Sequence, residues 1–503
     1  MKYKPSAYVS WIHHLKNYDE NITPVAIGND CIQIKVHPSH PELVINNKDD
    51  LYLSVDKEDK TKQLYFYSLA WFIPLLMYGS EEELIASLGL IDGLLNIDND
   101  KTNSAWNMLW DDHAISERLC VLIEIKKALN LTGELSAKIE NHLKLIYSKL
   151  SLFFSDSRWD HNNHRLFHFF AAYVYFDYLQ EVRNRERCKK LFEDFVISLI
   201  DLETGFSREQ SLAYCTFDLN FIKNIYESFY AIEQNSSINI GDLYEKLNHH
   251  LVSLSFPDGV IPASGDTVCG GQLSSIQKKI FINEPKLYWK NLDGLGYFRG
   301  ASENGIFHFL MISHNAESGH GHFSPSHFDL WVRDFGVLLT DCGGPYKYGD
   351  KLRYDWFKSA KGHNSLYLEG GGCLNDIDVR ISEKREWVKS FCDYTYARHQ
   401  RDLFSSGAEF FLHESVFSKE KKWSISYNFA ENITICKLSE GLFELKNENS
   451  KKILLETNFP SSSISLEETF RCIGHSKKIS APSLIFHGDM IGINWCLNFK
   501  IWE

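Results

Sequence analysis

No two cysteines of this chain stand in a Cys-x-x-Cys spacing, and the eleven present are scattered. That excludes zinc-finger spacing and a small disulfide framework, and an odd count fits free thiols. The start, MKYKPSAYVSWIHHLKNYDE, lacks the apolar core and small-residue cleavage site of a secretory signal. A cytoplasmic protein is expected, with a periplasmic placement left open for a trimmed precursor. The most apolar early run, LYFYSLAWFIPLLMYG at 64–79, is too short, too aromatic and too Pro-interrupted for a membrane span. It reads as a buried helix, and no integral membrane segment is expected. A basic balance is also missing. A formal charge of -13 makes nucleic acid a poor partner, although a local basic cleft in an acidic protein would still accept an anionic substrate. No Walker loop, dinucleotide fingerprint, GxSxG elbow or HExxH occurs where it would have meaning, and no repeat is regular enough for a propeller or short-repeat solenoid.

What is present is the composition of a large folded chain: 503 residues, 44% hydrophobic and 24% charged, with 34 Phe, 24 Tyr and 12 Trp. Residues 1–60 mix short apolar pieces such as CIQIKV and LVI and read as an irregular N-terminal cap. Over 61–290 the apolar period becomes helical, in HAISERLCVLIEIKKAL, AKIENHLKLIYSKLSLFF, HRLFHFFAAYVYFDYLQEV, RCKKLFEDFVISLIDLE, FDLNFIKNIYESFYAIEQ and GDLYEKLNHHLVSLSF. Successive helices with short connections favour antiparallel pairing in a bundle or α/α toroid. From 291 to 503 the segments are short, β-branched or aromatic, and separated by Gly, Asn, Asp and Ser, as in GIFHFLMIS, GVLLTD and WSISYNFA. The expected fold class is therefore multidomain α+β, helical first and antiparallel β second.

Four polar constellations stand out. In SGHGHFSPSHFDL (318–330), His320 and His322 are two apart, so in an extended segment both side chains point the same way. His322, Asp341 at the end of GVLLTD and His363 in KGHNS offer an N/N/O set suited to Zn²⁺ with a position left open. A hairpin through Arg333–Gly336 would set Asp341 opposite about Phe328, so the chain must fold back at Ser324-Pro325-Ser326 to close such a site. A polar loop of satisfied histidines is the alternative. His327, at the start of the strand, is left out of the site. In WDHNNHR, Asn163 and His164 sit at a helix N-terminus, which suits a bound carboxylate or is simply a capping turn. In REQSLAY, Tyr214 is a proton donor or acceptor or a packing residue, and Glu209 is a candidate substrate contact. In WDDHAISER, His113 and Arg118 are candidate substrate contacts, with an internal salt bridge equally open for Arg118. PDGVIP and Gly265-Asp266 read as turns.

In order along the chain, WDDHAISERL, WDHNNHRLFHFFAAY, REQSLAYCTFDL, PDGVIPASGDT, SGHGHFSPSHFDLWVRDFGVLLTDCGGPYKY and FKSAKGHNSLYLEG resemble the heparinase II/III-like polysaccharide lyases. The resemblance implies an incomplete (α/α) toroid over 61–290 followed by an antiparallel β supersandwich over 291–503. It implies β-elimination on a uronic-acid-containing acidic polysaccharide or oligosaccharide. Asn163 or His164 would neutralise the uronate carboxylate, and His320 and Tyr214 would be base and acid. His322, Asp341 and His363 match the metal-binding residues of some members, which would hold a structural Zn²⁺; no organic cofactor is implied. Two rival readings are a glycoside hydrolase, which needs paired carboxylates across the scissile bond, and a noncatalytic carbohydrate-binding or assembly protein.

Overall fold

The computed structural model describes residues 3–12, 15, 18, 24–28, 31–38, 41–45, 55, 60–96, 106–160, 162–232, 238–275, 277–278, 288–292, 295–315, 319–347, 349–372, 374–381, 387–419, 422–474, 477–489 and 492–502. Their contacts divide the chain into two compact units. One is Met1–Ile200 with Asp218–Ile240; the other is Asp201–Phe217 with Gly241–Glu503. The division falls inside the helix Leu212–Ile232.

The first unit is helical. The apolar run 64–79, expected as one buried helix, is two: Lys60–Tyr67 and Phe72–Tyr78, parted at Leu69, whose φ of 60° no helix accommodates. Glu81–Leu95 starts from a capping box in which Ser80 and Glu83 satisfy each other's backbone N–H. Asp112–Ala128 is capped by Asp111, and Gly133–Phe153, His164–Tyr178 and Val182–Leu199 follow. His164–Tyr178 is buried throughout from Arg165 to Phe176. Its Phe167 packs on Trp11 and Phe221 and its Phe170 on Trp11, with ring centroids 4.4–5.7 Å apart. Burial of each such ring contributes about 1.5–3 kcal/mol, so this cluster fixes where the start of that helix stands. CIQIKV and LVI, expected as irregular, form strands Ile32–Ile34 and Leu43–Ile45, which pair with each other and with Val25–Ile27 in a small sheet.

The second unit is built on antiparallel sheets. A five-stranded sheet runs Tyr288–Leu292, Leu295–Ala301, Phe307–Asn315, Phe323–Val332, Gly336–Leu339. An eight-stranded sheet runs Leu374–Ile381, Trp387–Tyr394, Ala397–Ser406, Glu409–Ser418, Ile493–Trp502, Lys452–Thr457, Leu442–Lys446, Thr434–Ser439. A four-stranded sheet runs Ile464–Gly474, Lys477–Gly488, Trp423–Asn428, Leu366–Leu368. Inward residues at every second position join one apolar core containing Phe309, Phe328, Leu403, Phe410, Trp423 and Trp495. A helical unit followed by antiparallel sheets is the coarse architecture the sequence predicts.

One irregularity places the site. In the pair Phe307–Asn315 with Phe323–Val332, the register shifts between Ile312↔His327 and His314↔Ser324, and Ser326 takes φ 57°. One strand therefore carries an extra residue, a bulge that bends it at the Ser324–Ser326 step. The hairpin to Gly336–Leu339 has the expected register, with Leu330 opposite Leu339. The bulge supplies the turn back that this register demands.

Candidate functional site

In the helical unit, Asp111 accepts from His113 N and Ala114 N at 3.1 and 3.4 Å, which sets Asp112 in the first turn. Asp112 Oδ2 then takes His164 Nδ1 at 2.9 Å and His168 Nε2 at 2.8 Å. The two histidines are four apart on one helix and so share a face. Burial pushes the Asp112 carboxyl up, but the two imidazoles outweigh it and hold it well below its ordinary value. His113 lies 3.1 Å from Glu117 Oε1 and stacks on Phe167; burial opposes its protonation, yet Glu117 raises its pKa overall. Asn163 does not cap its helix. Its Nδ2 donates to Asp218 Oδ1 at 2.9 Å, and Asn162 takes the backbone N–H of His164 instead. Arg118 is fully buried, with Nη1 and Nη2 on the carbonyls of Tyr67 and Leu109 at 3.1 and 2.8 Å. Its guanidinium thus serves internal backbone acceptors.

The second unit brings Glu209 and Tyr214 of REQSLAY beside His320 of SGHGH. The Tyr214 and His320 rings stack with centroids 3.6 Å apart and planes 19° from parallel. His320 Nδ1 lies 2.9 Å from Asp266 Oδ2, and Nε2 lies 3.4 Å from Glu209 Oε2. Asp266 Oδ2 also accepts from Arg353 Nη2 at 2.6 Å, while Oδ1 faces His322 Nε2 at 2.9 Å. Burial disfavours the Asp266 carboxylate, but His320, His322 and Arg353 together hold its pKa well below the ordinary range. An ionised Asp266 fixes Nδ1–H on His320 and makes Nε2 the basic nitrogen. Gly265 is required here: its φ is 61°, and a Cβ would sit 2.4 Å from Gln210 O and 2.8 Å from His320 O.

Beside this lie His322, Asp341 and His363, all buried, whose ligating atoms fall within 4.8 Å of one another. His363 Nε2 faces the Phe357 carbonyl at 3.0 Å, a partner that can only accept, so Nδ1 carries the lone pair. That atom stands 2.9 Å from Asp341 Oδ2, and two acceptors so close need a proton or a cation between them. His322 follows the same logic, with Nε2 on Asp266 and Nδ1 buried without a hydrogen-bond partner. Burial keeps the His322 imidazole below its ordinary pKa, the neutral form a ligand needs. A buried orphan nitrogen, a second lone pair and a carboxylate, with each imidazole's far nitrogen anchored, form a donor set that fits a divalent cation. His327, left out by the sequence, is here too: Nδ1 accepts from Asn364 N at 3.0 Å, and Nε2 lies 2.9 Å from Asp329 and 3.4 Å from Asp341.

Sequence reasoning passed over Asp112, Asp218, Asp266, Arg353 and His168. Only His168 had a local signal, its helical i+4 spacing from His164. Asp266 reads as a turn residue, and nothing in PASGDT says that its carboxylate points inward.

The two-part architecture recurs among solved structures. Heparinase III superposes with a TM-score of 0.64 at 14% identity, over 88% of this chain and 77% of that one. The heparan sulfate lyase HepC from Pedobacter heparinus superposes with a TM-score of 0.57 at 15% identity, over 94% and 81%. At these identities the likeness is one of fold. No curated protein sequence matches the chain. Residues 285–495 match the family described as Heparinase II/III-like, C-terminal.

Proposed function

We propose that the protein is a polysaccharide lyase that cleaves a uronic-acid-containing acidic polysaccharide by β-elimination. The stacked pair Tyr214–His320, with His320 oriented by an ionised Asp266, carries this reading. The proton on carbon 5 of a uronate is only weakly acidic, and charge develops on the adjacent carboxylate as it leaves. His320 Nε2 takes that proton, the released electron pair forms the double bond between carbons 4 and 5, and the bond from carbon 4 to the glycosidic oxygen breaks. Tyr214 gives its phenolic proton to the departing oxygen. For the opposite stereochemistry at carbon 5, Tyr214 serves both steps. Asn163 or His164 is assigned the uronate carboxylate, and Glu209 and His113 are assigned to contacts with the substrate. Asp266 is engaged by two histidines and Arg353, which leaves it poorly suited to be one of a glycosidase's two carboxylates.

The closed shapes that the resemblance implies, an incomplete (α/α) toroid and a β supersandwich, belong to the same proposal. So does a structural Zn²⁺ on His322, Asp341 and His363. Bound there, it would supply a fixed charge tying the segment that presents His320 to the loop that presents His363. The test is a screen of uronic-acid polysaccharides by ultraviolet absorbance and mass. Unsaturated uronyl ends support the proposal; saturated products that have gained water contradict it.

A further inference from the structure

Arg401 stands on Ala397–Ser406 directly opposite Glu414 on the neighbouring strand, and both side chains are fully buried. Its Nε and Nη2 donate to Glu414 Oε1 at 2.8 and 2.6 Å. Tyr427 donates to the same oxygen at 3.0 Å, and His399 Nε2 lies 2.7 Å from Oε2. So held, the guanidinium has one direction left. Its Nη1 donates to two backbone carbonyls, those of Ser326 and of Asn364, the latter at 2.5 Å.

Those two carbonyls belong to the segments that supply the metal-type ligands. Ser326 is the positive-φ residue of the bulge that follows His322, and Asn364 directly follows His363. Asn364 adds a parallel tie, with Nδ2 on Phe328 O at 2.7 Å. A buried ionic group is seldom the most stable filling for an apolar sheet core, where packed hydrophobic residues do as well or better. A planar fork that meets one carboxylate and two carbonyls at fixed angles does something an apolar residue cannot, and lysine cannot reproduce it.

We propose that Arg401 is a positioning residue for the His322, Asp341 and His363 cluster: clamped by Glu414, it sets the separation of the two backbone segments that bring His322 and His363 together. The inference rests on reading that cluster as a metal site. The experiment titrates the metal-stripped full-length protein with Zn²⁺ in competition with a chromophoric chelator, for wild type, Arg401→Lys and Glu414→Gln. Circular dichroism and a cooperative melt identify the variants that fold. Zn²⁺ bound by wild type and held about tenfold or more weakly by folded Arg401→Lys, the size of effect seen when a ligand's support is removed, bears the proposal out. Glu414→Gln, which keeps the side-chain shape, decides by the same criterion if the lysine variant does not fold. Wild-type Zn²⁺ affinity in a folded variant overturns the positioning role. Absence of Zn²⁺ binding in wild type overturns the metal reading itself and this inference with it.

Discussion

Tyr214 lies flat against His320, with ring centroids 3.6 Å apart and planes inclined by 19°. One comes from the helix Leu212–Ile232, the other from the glycine-rich loop before Phe323–Val332, and the contact brings a phenol and an imidazole side by side. Tyr214→Phe and His320→Ala should each lower kcat by about 10²–10⁴-fold with native circular dichroism, the range for loss of a general acid or base. Asn163→Ala should lower kcat/KM by about 10²-fold or more if its amide meets the developing charge. Steady-state kinetics on the substrate found by screening checks all three.

Asp266 orients His320 and neutralises the buried Arg353, so its removal has two separable effects. Asp266→Asn should lower kcat, because an amide no longer selects the Nδ1–H tautomer of His320. It should also cost about 3–5 kcal/mol of stability, because a buried guanidinium loses its counter-charge. Denaturant unfolding beside kinetics separates the two; an unchanged midpoint would contradict the buried pair.

The cluster of His322, Asp341 and His363 predicts stabilisation by cation binding. Saturating Zn²⁺ at about 100 times its dissociation constant should raise stability by about 2.7 kcal/mol, read as a higher Tm. His363→Ala should abolish that rise, and metal analysis of the purified protein gives the stoichiometry.

Acid should destabilise the helical unit through Asp112, whose folded pKa lies well below the ordinary value of about 3.9. The unfolded chain takes up that proton first, so the stabilisation is complete above about pH 4 and is lost as pH falls through the folded value. His168 acts in the same sense. Burial lowers its pKa, so below about pH 6.5 the unfolded state binds a proton that the folded state resists. Asp112→Asn should start with a lower Tm at neutral pH and lose less of it between about pH 5 and 3, as calorimetry across that range would show.

Periodicity made the elements legible. HRLFHFFAAYVYFDY repeats its apolar residues all round, and the structure buries that helix almost throughout; alternating strands such as EFFLHESVF pair as antiparallel ribbons. His320, His322, Asp341 and His363 were visible because polar residues crowd glycines between apolar strands. Asp266 and Arg353 were not, since a carboxylate in a turn and an arginine after a loop look the same whether they face inward or out. Arg401 and Glu414 were hidden for the opposite reason: they occupy inward positions of their strands, where the sequence pattern reads a charge as a solvent face. Ser326 has no local signal for its positive φ, so the bulge that closes the cluster emerges only from the pairing of two strands.

The most direct test is incubation of the protein with a panel of uronic-acid polysaccharides, with product mass and ultraviolet absorbance read together. The account predicts chain cleavage without uptake of water, unsaturated uronyl ends, and loss of both signals in Tyr214→Phe and His320→Ala. Products heavier by one water and without the absorbance, or full activity in both variants, would contradict it.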